Sequence, residues 1–179
     1  EKERLDVVGI ATPPSNHKQA VLDTVGAGVK GILCEKPIAT NLRDADDMLR
    51  ACDRAGVQIA INTWRRWEPY YVRAKKLIQE GAIGALKAVV GHWSGMVLST
   101  GSHGYDILNY FVDADVDWLI GCLDDSPSAT DPGGDTYIYY KNGVRALVNG
   151  SSGTVAHFEL ELFGGAGKPS RKLLFEPDP

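Results

Sequence analysis

The chain has 179 residues, which is enough for one full domain or two small ones. A formal net charge of −4 argues against nucleic-acid and anionic-membrane partners, and no apolar run approaches the roughly 20 residues of a membrane span. Three widely spaced cysteines without a CxxC pair indicate neither a disulfide framework nor a zinc site, and they suit the reducing cytoplasm.

The first third of the chain alternates strands and helices. Short apolar runs predict strands at 5–11, 30–34 and 57–62. The first of these runs suits a buried strand. Helical spacing predicts one helix up to about Ala27 and a second between a cap at Thr40 or Asn41 and a stop at Gly56. This order predicts βαβ units and a parallel sheet.

After Thr63 the pattern changes to that of an α+β domain. Helices are predicted from Pro69 to Gly81 and from Ser102 to Val112. Asn142-Gly143 is a strong hairpin signal. The strand-like segments are ALKAVVGHW, VDWLIGCL, DTYIYYK, VRALVNGS, AHFELELF and RKLLFE. We expect a largely antiparallel sheet whose partly alternating strands leave one face either less buried or in contact with a partner. The domain boundary is expected between 1–64 and 65–179.

The segment GAGVKG at 26–31 matches the letters of a dinucleotide-binding GxGxxG. That fingerprint needs its glycines after a strand and before a helix, so that the phosphates meet the helix N-terminus. Here the glycines follow a predicted helix and precede a strand. We therefore interpret the segment as a helix cap and a tight turn.

Two segments follow predicted parallel strands at their carboxyl ends, where ligands of open α/β sheets bind. In ATPPSNH, His17 and the backbone could line a cofactor crevice, or His17 could be a surface residue of the helix. In Glu35-Lys36-Pro37, the lysine could hold a substrate hydroxyl while Glu35 positions it. Alternatively, Glu35 and Lys36 are an exposed ion pair.

Two further segments carry candidate residues. His103 and Asp106 lie three apart in the predicted helix, so the histidine could act as a general acid/base oriented by the aspartate, or could pack locally. The segment Asn62–Trp67 could line a cleft with polar groups, or could be a linker with aromatic anchors.

Four segments in this order resemble the glucose–fructose oxidoreductase / inositol dehydrogenase (Gfo/Idh/MocA) family. They are DVVGIATPPSNH, GILCEKPIAT, the NxxRR segment at 62–66 and TGSHGYDILNYF. The resemblance covers nearly the whole chain, and its most specific element is EKP between strand and helix. It implies the C-terminal half of a Rossmann-type parallel sheet, followed by a domain with an open sheet used for oligomerisation, as a homodimer or homotetramer.

The resemblance also implies roles for individual residues. The catalytic residues would be Lys36, His103 and Asp106. The residues bordering the cofactor would be Thr12, Pro13, Pro14, His17, Glu35, Lys36 and Pro37. The substrate residues would be Asn62, Arg65, Arg66, Ser99 and Ser102. The implied function is hydride transfer between NAD or NADP and a sugar, polyol or related hydroxyl compound, without a metal.

Two departures from the family pattern qualify these expectations. Ser99 stands where many members have an aspartate four residues before the histidine. The family's glycine-rich strand–loop–helix is not found, so we expect a fragment that binds dinucleotide weakly or not at all and is inactive by itself. The alternatives are a non-catalytic scaffold on the same fold and an NAD-using lyase.

Overall fold

The computed structural model describes residues 3–125, 131–150, 158–165 and 171–175. The chain divides into two compact units, Glu1–Thr63 and Trp64–Pro179. This division falls one residue before the boundary expected from the sequence. In the described parts of the chain, no helix is long and apolar enough to cross a membrane.

The first unit contains a three-stranded parallel sheet. Its elements are β1 (Val7–Ile10), a 3₁₀ turn (Pro14–Asn16), α1 (His17–Gly26), β2 (Gly31–Cys34), α2 (Leu42–Ala55) and β3 (Gln58–Ile61). The strands lie in the order β1-β2-β3, as the βαβ pattern predicts. Asn41 caps α2 by accepting the Asp44 N–H at 3.0 Å, and Gly56 ends it with a left-handed φ of 67°.

Within the described part of the first unit, the helices cover one face of this sheet. Right-handed crossovers that advance in one direction place both helices on the same face, where Val21 and Met48 are fully buried against the strands. On the other face, Val7 is 64% exposed and Leu33 is 47% exposed. The prediction of a buried strand at 5–11 is therefore wrong for β1, of which only Ile10 is fully buried.

The second unit begins with a 3₁₀ turn at Trp64–Trp67 and is built on a six-stranded sheet. Its other elements are α3 (Pro69–Gln79), β4 (Ala85–Trp93), α4 (Gly101–Val112), β5 (Val116–Leu123), β6 (Gly134–Tyr140), β7 (Arg145–Asn149), β8 (Phe158–Gly165) and β9 (Arg171–Phe175). The strand order is β5-β6-β7-β4-β8-β9, and only β4 and β7 pair in parallel. Gly143, with φ 83°, forms the predicted hairpin turn.

The two faces of the six-stranded sheet differ in burial. Inward side chains such as Val89, Ala146 and Leu160 are fully buried in one core with residues of α3 and α4. On the opposite face, Ile120 is 66% exposed and Leu147 is 52% exposed. The prediction that one sheet face is less buried is confirmed.

Candidate functional site

The candidate residues of the first unit lie at the carboxyl edge of its parallel sheet. Strand register aligns Ile10 with Cys34 and Cys34 with Ile61. Beyond the strands, the Glu35 N–H donates to the Ile10 carbonyl at 2.9 Å, and the Asn62 N–H donates to the Cys34 carbonyl at 2.8 Å. The loops that follow all three strands therefore start side by side, where ligands of open α/β sheets bind.

Glu35 fixes the main chain around the candidate lysine. One of its carboxylate oxygens accepts the Asn62 side-chain amide at 2.7 Å, and the other accepts the Lys36 N–H at 3.3 Å. The Lys36–Pro37 peptide bond is cis. Glu35 and Lys36 are both half-buried. Asn62 belongs to the same hydrogen-bonded group, which gives it a defined place beside the lysine turn.

His17 lies behind the edge. Its side chain is fully buried, and its Nε2 lies 2.8 Å from the Thr12 carbonyl oxygen. Its Nδ1 lies 3.0 Å from the Pro37 carbonyl oxygen and 3.3 Å from that of Ile38. The interpretation as a surface residue is wrong, and the ring faces main-chain carbonyls where the sequence suggested the lining of a crevice. His17 thus joins the loop after β1 to the loop after β2.

Pro13 and Pro14 shape the first of these loops. The Pro13 carbonyl accepts the Asn16 N–H at 2.9 Å, and Pro14 begins the 3₁₀ turn that leads into α1. A proline suits this first position because its missing N–H would have no partner there. His17 follows this turn directly as the first residue of α1, and its buried side chain anchors the loop that precedes the turn.

In the second unit, His103 lies in the first turn of α4 and is buried, with 9% of its surface exposed. The ring of Trp64 meets its imidazole edge to face, with 5.8 Å between centroids and an interplanar angle of 76°. Because Trp64 comes from the 3₁₀ turn, this contact joins the start of the unit to α4. The sequence marked Trp64 only as an aromatic anchor, and nothing in its spacing indicated a contact with His103.

Asp106 has a partner that the sequence did not suggest. Its two carboxylate oxygens accept hydrogen bonds from Arg66, at 2.7 Å from Nε and 2.8 Å from Nη2. These bonds raise the pKa of the Arg66 guanidinium. The sequence suggested that Asp106 orients the His103 imidazole, and the structure adds a forked ion pair with Arg66 on this carboxylate.

Arg65 contacts two aromatic rings. Its guanidinium lies over the ring of Trp64 at 4.6 Å and over the ring of Phe158 at 3.9 Å. Cation–π contacts of this kind hold a planar guanidinium between aromatic faces. Arg65 therefore supports Trp64 from the side of β8.

Ser99 lies in the loop before α4, and Ser102 lies in the first turn of the helix. The Ser102 hydroxyl donates to the Ser99 carbonyl at 3.0 Å. The carboxylate of Asp131 accepts the N–H groups of Leu98 at 2.7 Å and Ser99 at 3.0 Å. Sequence reasoning missed Asp131, because a residue 32 positions from its partner, followed by a proline, shows no spacing signal.

The carboxyl edge of the parallel sheet in the first unit carries groups that can bind part of a dinucleotide. Carboxylate, amide and main-chain groups there can hydrogen-bond to ribose hydroxyls and to a carboxamide. GAGVKG, in contrast, joins the end of α1 to the start of β2, with Gly28 at φ 78°, so it is the predicted turn and does not open a helix toward phosphate. Among the described residues, no group of three or more His, Cys, Asp or Glu side chains could hold a metal ion.

Comparisons with known proteins agree with this geometry. Residues 1–63 match the model of the Gfo/Idh/MocA oxidoreductase family, which has an NAD-binding Rossmann fold. The match covers the first unit of the chain. It is 42% identical over 82 residues to the D-apiose dehydrogenase of Paraburkholderia graminis, in a match that covers 46% of this chain and 22% of that protein.

Other proteins match more of the chain at lower identity. The NAD⁺-dependent scyllo-inositol 2-dehydrogenase of Bacillus subtilis is 27% identical over 135 residues, which are 68% of this chain and 39% of that protein. The crystal structure of the WlbA dehydrogenase from Bordetella pertussis, in complex with NADH and UDP-GlcNAcA, matches 95% of this chain and 59% of its own with a TM-score of 0.82 at 20% identity. The chain thus spans less than two thirds of the length of these relatives, and the structural match shows the fold.

Proposed function

We propose that this protein is an NAD- or NADP-dependent dehydrogenase that acts on a sugar, a polyol or a related hydroxyl compound. The observation that carries the proposal is the Glu35–Lys36–Pro37 turn at the carboxyl edge of the parallel sheet, held by Asn62 and His17. The apiose and inositol named for the relatives fit this substrate class. A lysine held at such an edge can bind a hydroxyl oxygen.

In this proposal the catalytic residues have separate tasks. The Lys36 ammonium donates a hydrogen bond to the substrate hydroxyl oxygen and stabilises the negative charge that develops there. His103 takes the hydroxyl proton during oxidation and returns it during reduction. The nicotinamide ring, when bound, supplies the hydride acceptor or donor. The residues that would hold the nicotinamide end are Thr12, Pro13, Pro14, Glu35 and Pro37.

The decisive experiment uses the longest natural form of the protein that contains this sequence. We expect Lys36→Ala and His103→Ala each to lower kcat about 10²- to 10⁴-fold in a coupled NADH assay. Lys30→Ala and His92→Ala are the matched controls, because each removes the same residue type from the same unit. Absence of an NADH-coupled rate in the parent protein would favour the scaffold alternative, and unchanged activity in both test variants would contradict the roles assigned to Lys36 and His103. A dehydrated product without net NADH would favour the lyase.

We further propose that the 179-residue chain alone binds dinucleotide weakly or not at all. The support is the position of GAGVKG between α1 and β2, which supplies no helix N-terminus for a pyrophosphate. Titration with NADH, followed by tryptophan fluorescence and calorimetry, tests this. Micromolar binding would contradict the proposal, and no binding at millimolar NADH would support it.

We also infer that the open face of the six-stranded sheet is a self-association surface. It exposes Ile120 and Leu147 beside a stacked pair, Trp118 and Tyr139, whose ring centroids lie 5.6 Å apart. Apolar patches of this kind mark interaction sites. Light scattering should show a homodimer or homotetramer that Ile120→Lys converts to monomer, while Leu119→Lys, on the other side of β5, should not. A monomeric parent protein would contradict the inference.

The cysteines support the cytoplasm as the location. All three are free thiols, with Cys34 and Cys52 buried and Cys122 exposed. An exposed free thiol persists most readily where glutathione keeps thiols reduced. Cell fractionation tests this, and recovery in an oxidising compartment would contradict it.

A further inference from the structure

The contacts around His103 form a connected group within the second unit. Arg66 and Asp106 make a forked ion pair, with Nε–Oδ2 2.7 Å and Nη2–Oδ1 2.8 Å. Arg66 belongs to the 3₁₀ turn Trp64–Trp67, and Asp106 lies one turn after His103 on α4. The ion pair therefore fastens the 3₁₀ turn to the helix segment that carries the candidate base.

The same 3₁₀ turn carries Trp64, which touches the His103 ring edge to face. Arg65 holds the face of Trp64 through its own stack on Phe158. The Arg66 guanidinium also lies 5.6 Å from the ring centroid of Tyr110, one turn beyond Asp106. With the turn anchored at both arginines, Trp64 has little freedom to leave the imidazole.

We propose that Arg66 and Asp106 are positioning residues, which fix the orientation of the His103 imidazole by holding Trp64 against it. The ion pair is the stronger of the two anchors, because a two-point arginine–carboxylate bond sets direction as well as distance. Asp106 is 20% exposed and Arg66 is 38% exposed, so the bond is partly shielded from water. The positioning of the His103 ring does not depend on the proposed function. Its effect on catalysis rests on the proposed role of His103 as acid/base.

The first test is structural and uses the 179-residue chain. Only four histidines are present, so the His103 ring signals can be assigned by comparison with His103→Gln. We expect Arg66→Lys, which keeps the charge but loses the fork, and Asp106→Asn to abolish the Trp64–His103 NOEs. The His103 ring-proton shifts should move toward those of free histidine. Arg73→Lys is the control, because Arg73 makes an exposed ion pair with Glu80 at 3.8 Å in the same unit.

The second test is kinetic and uses the longest natural form. We expect both variants to lower kcat about 10- to 100-fold with little change in KM, since a small displacement of a catalytic group has effects of this size. The charge swap Arg66→Asp with Asp106→Arg should recover part of the NOEs and of kcat. Retention of the NOEs and shifts in Arg66→Lys and Asp106→Asn would overturn the proposal, even if either variant unfolds more easily. If the proposed function is wrong instead, His103→Ala keeps its activity, while Arg66→Lys and Asp106→Asn still lose the Trp64–His103 NOEs.

Discussion

The first unit holds its candidate residues through the main chain, and the second holds them through side chains. In the first, the imidazole of His17 bonds to carbonyls of two loops, and Glu35 accepts the Lys36 N–H. In the second, Arg66 donates hydrogen bonds to the carboxylate of Asp106, and Trp64 packs on His103. The first arrangement fixes the path of the backbone, whereas the second fixes the orientation of a ring.

This difference suits the tasks proposed for the two units. A loop that borders a bound cofactor needs a defined backbone course, because main-chain atoms approach the ligand closely. A proton-transferring ring needs a defined direction, and neighbouring side chains provide it. If each arrangement acts locally, damage to one unit should leave the other intact. The variants below test that independence.

Removing the His17 ring should have the largest effect. His17→Ala removes a fully buried ring whose nitrogens lie within hydrogen-bond distance of the Thr12 and Pro37 carbonyls, and it opens a cavity, so we expect a loss of about 3 kcal/mol in unfolding free energy. His17→Gln should lose less, because its amide can still donate. Urea denaturation measures the loss, and hydrogen exchange should locate it in residues 3–63. Equal loss of protection in the second unit would show that the units are not independent.

The second-largest effect should be a difference in thiol labelling rate between Cys34 in the first unit and Cys122 in the second. Burial, with a smaller contribution from Glu35, raises the pKa of the Cys34 thiol to about 11 from an ordinary 9.0. Its thiolate fraction at neutral pH is therefore about 100-fold below that of an ordinary cysteine. A thiol reagent should label exposed Cys122 rapidly and Cys34 only after unfolding. Rapid labelling of Cys34 in the native chain would mean that the first unit opens readily.

The third-largest effect should come from a substitution that disturbs the packing of α4 against Trp93. A Cβ added at Gly104 would lie 2.6 Å from the indole of Trp93, a rigid ring that stacks on Phe158. We expect Gly104→Ala to lower the unfolding free energy by about 1 to 3 kcal/mol and to shift the His103 ring signals. Gly26→Ala is the control, because that helical glycine has open space around it. No effect of Gly104→Ala on thermal unfolding would contradict the packing described.

The smallest effect should come from Lys18 on the surface of the first unit. It bonds to Asp44 at 2.7 Å and Asp47 at 2.8 Å, which lowers the pKa of both carboxyls below 3.8 and raises that of Lys18 above 10.5. The carboxylates' contribution to stability is present above their ordinary pKa and is lost as pH falls through the lowered values.

Lys18→Met should therefore lower the urea midpoint slightly at neutral pH. The difference from wild type should disappear well below pH 3.8, where the carboxyls are protonated in both proteins. Lys30→Met is the control, since Lys30 pairs with Asp6 alone and both are highly exposed. A difference that persists in acid would assign the effect to the lost lysine side chain rather than to its charge.

Local signals along the chain predicted most of the elements. The Asn41 cap and the Gly56 stop bound α2 where expected, and Asn142-Gly143 turns between β6 and β7. The position of Lys36 at a strand end also followed from the local pattern, because parallel strands place their carboxyl ends at one edge. The assignment of catalytic roles to Lys36, His103 and Asp106 stays a prediction.

The sequence by itself determined the order of strands and helices, and the placement of candidate residues on the strand-end loops and at the start of α4. Only the tertiary structure decided their partners. It buried His17 against carbonyls 20 and 21 residues away, and it joined Arg66 to Asp106 across 40 residues. Periodicity and capping act over a few residues, whereas these contacts form only when distant segments pack together.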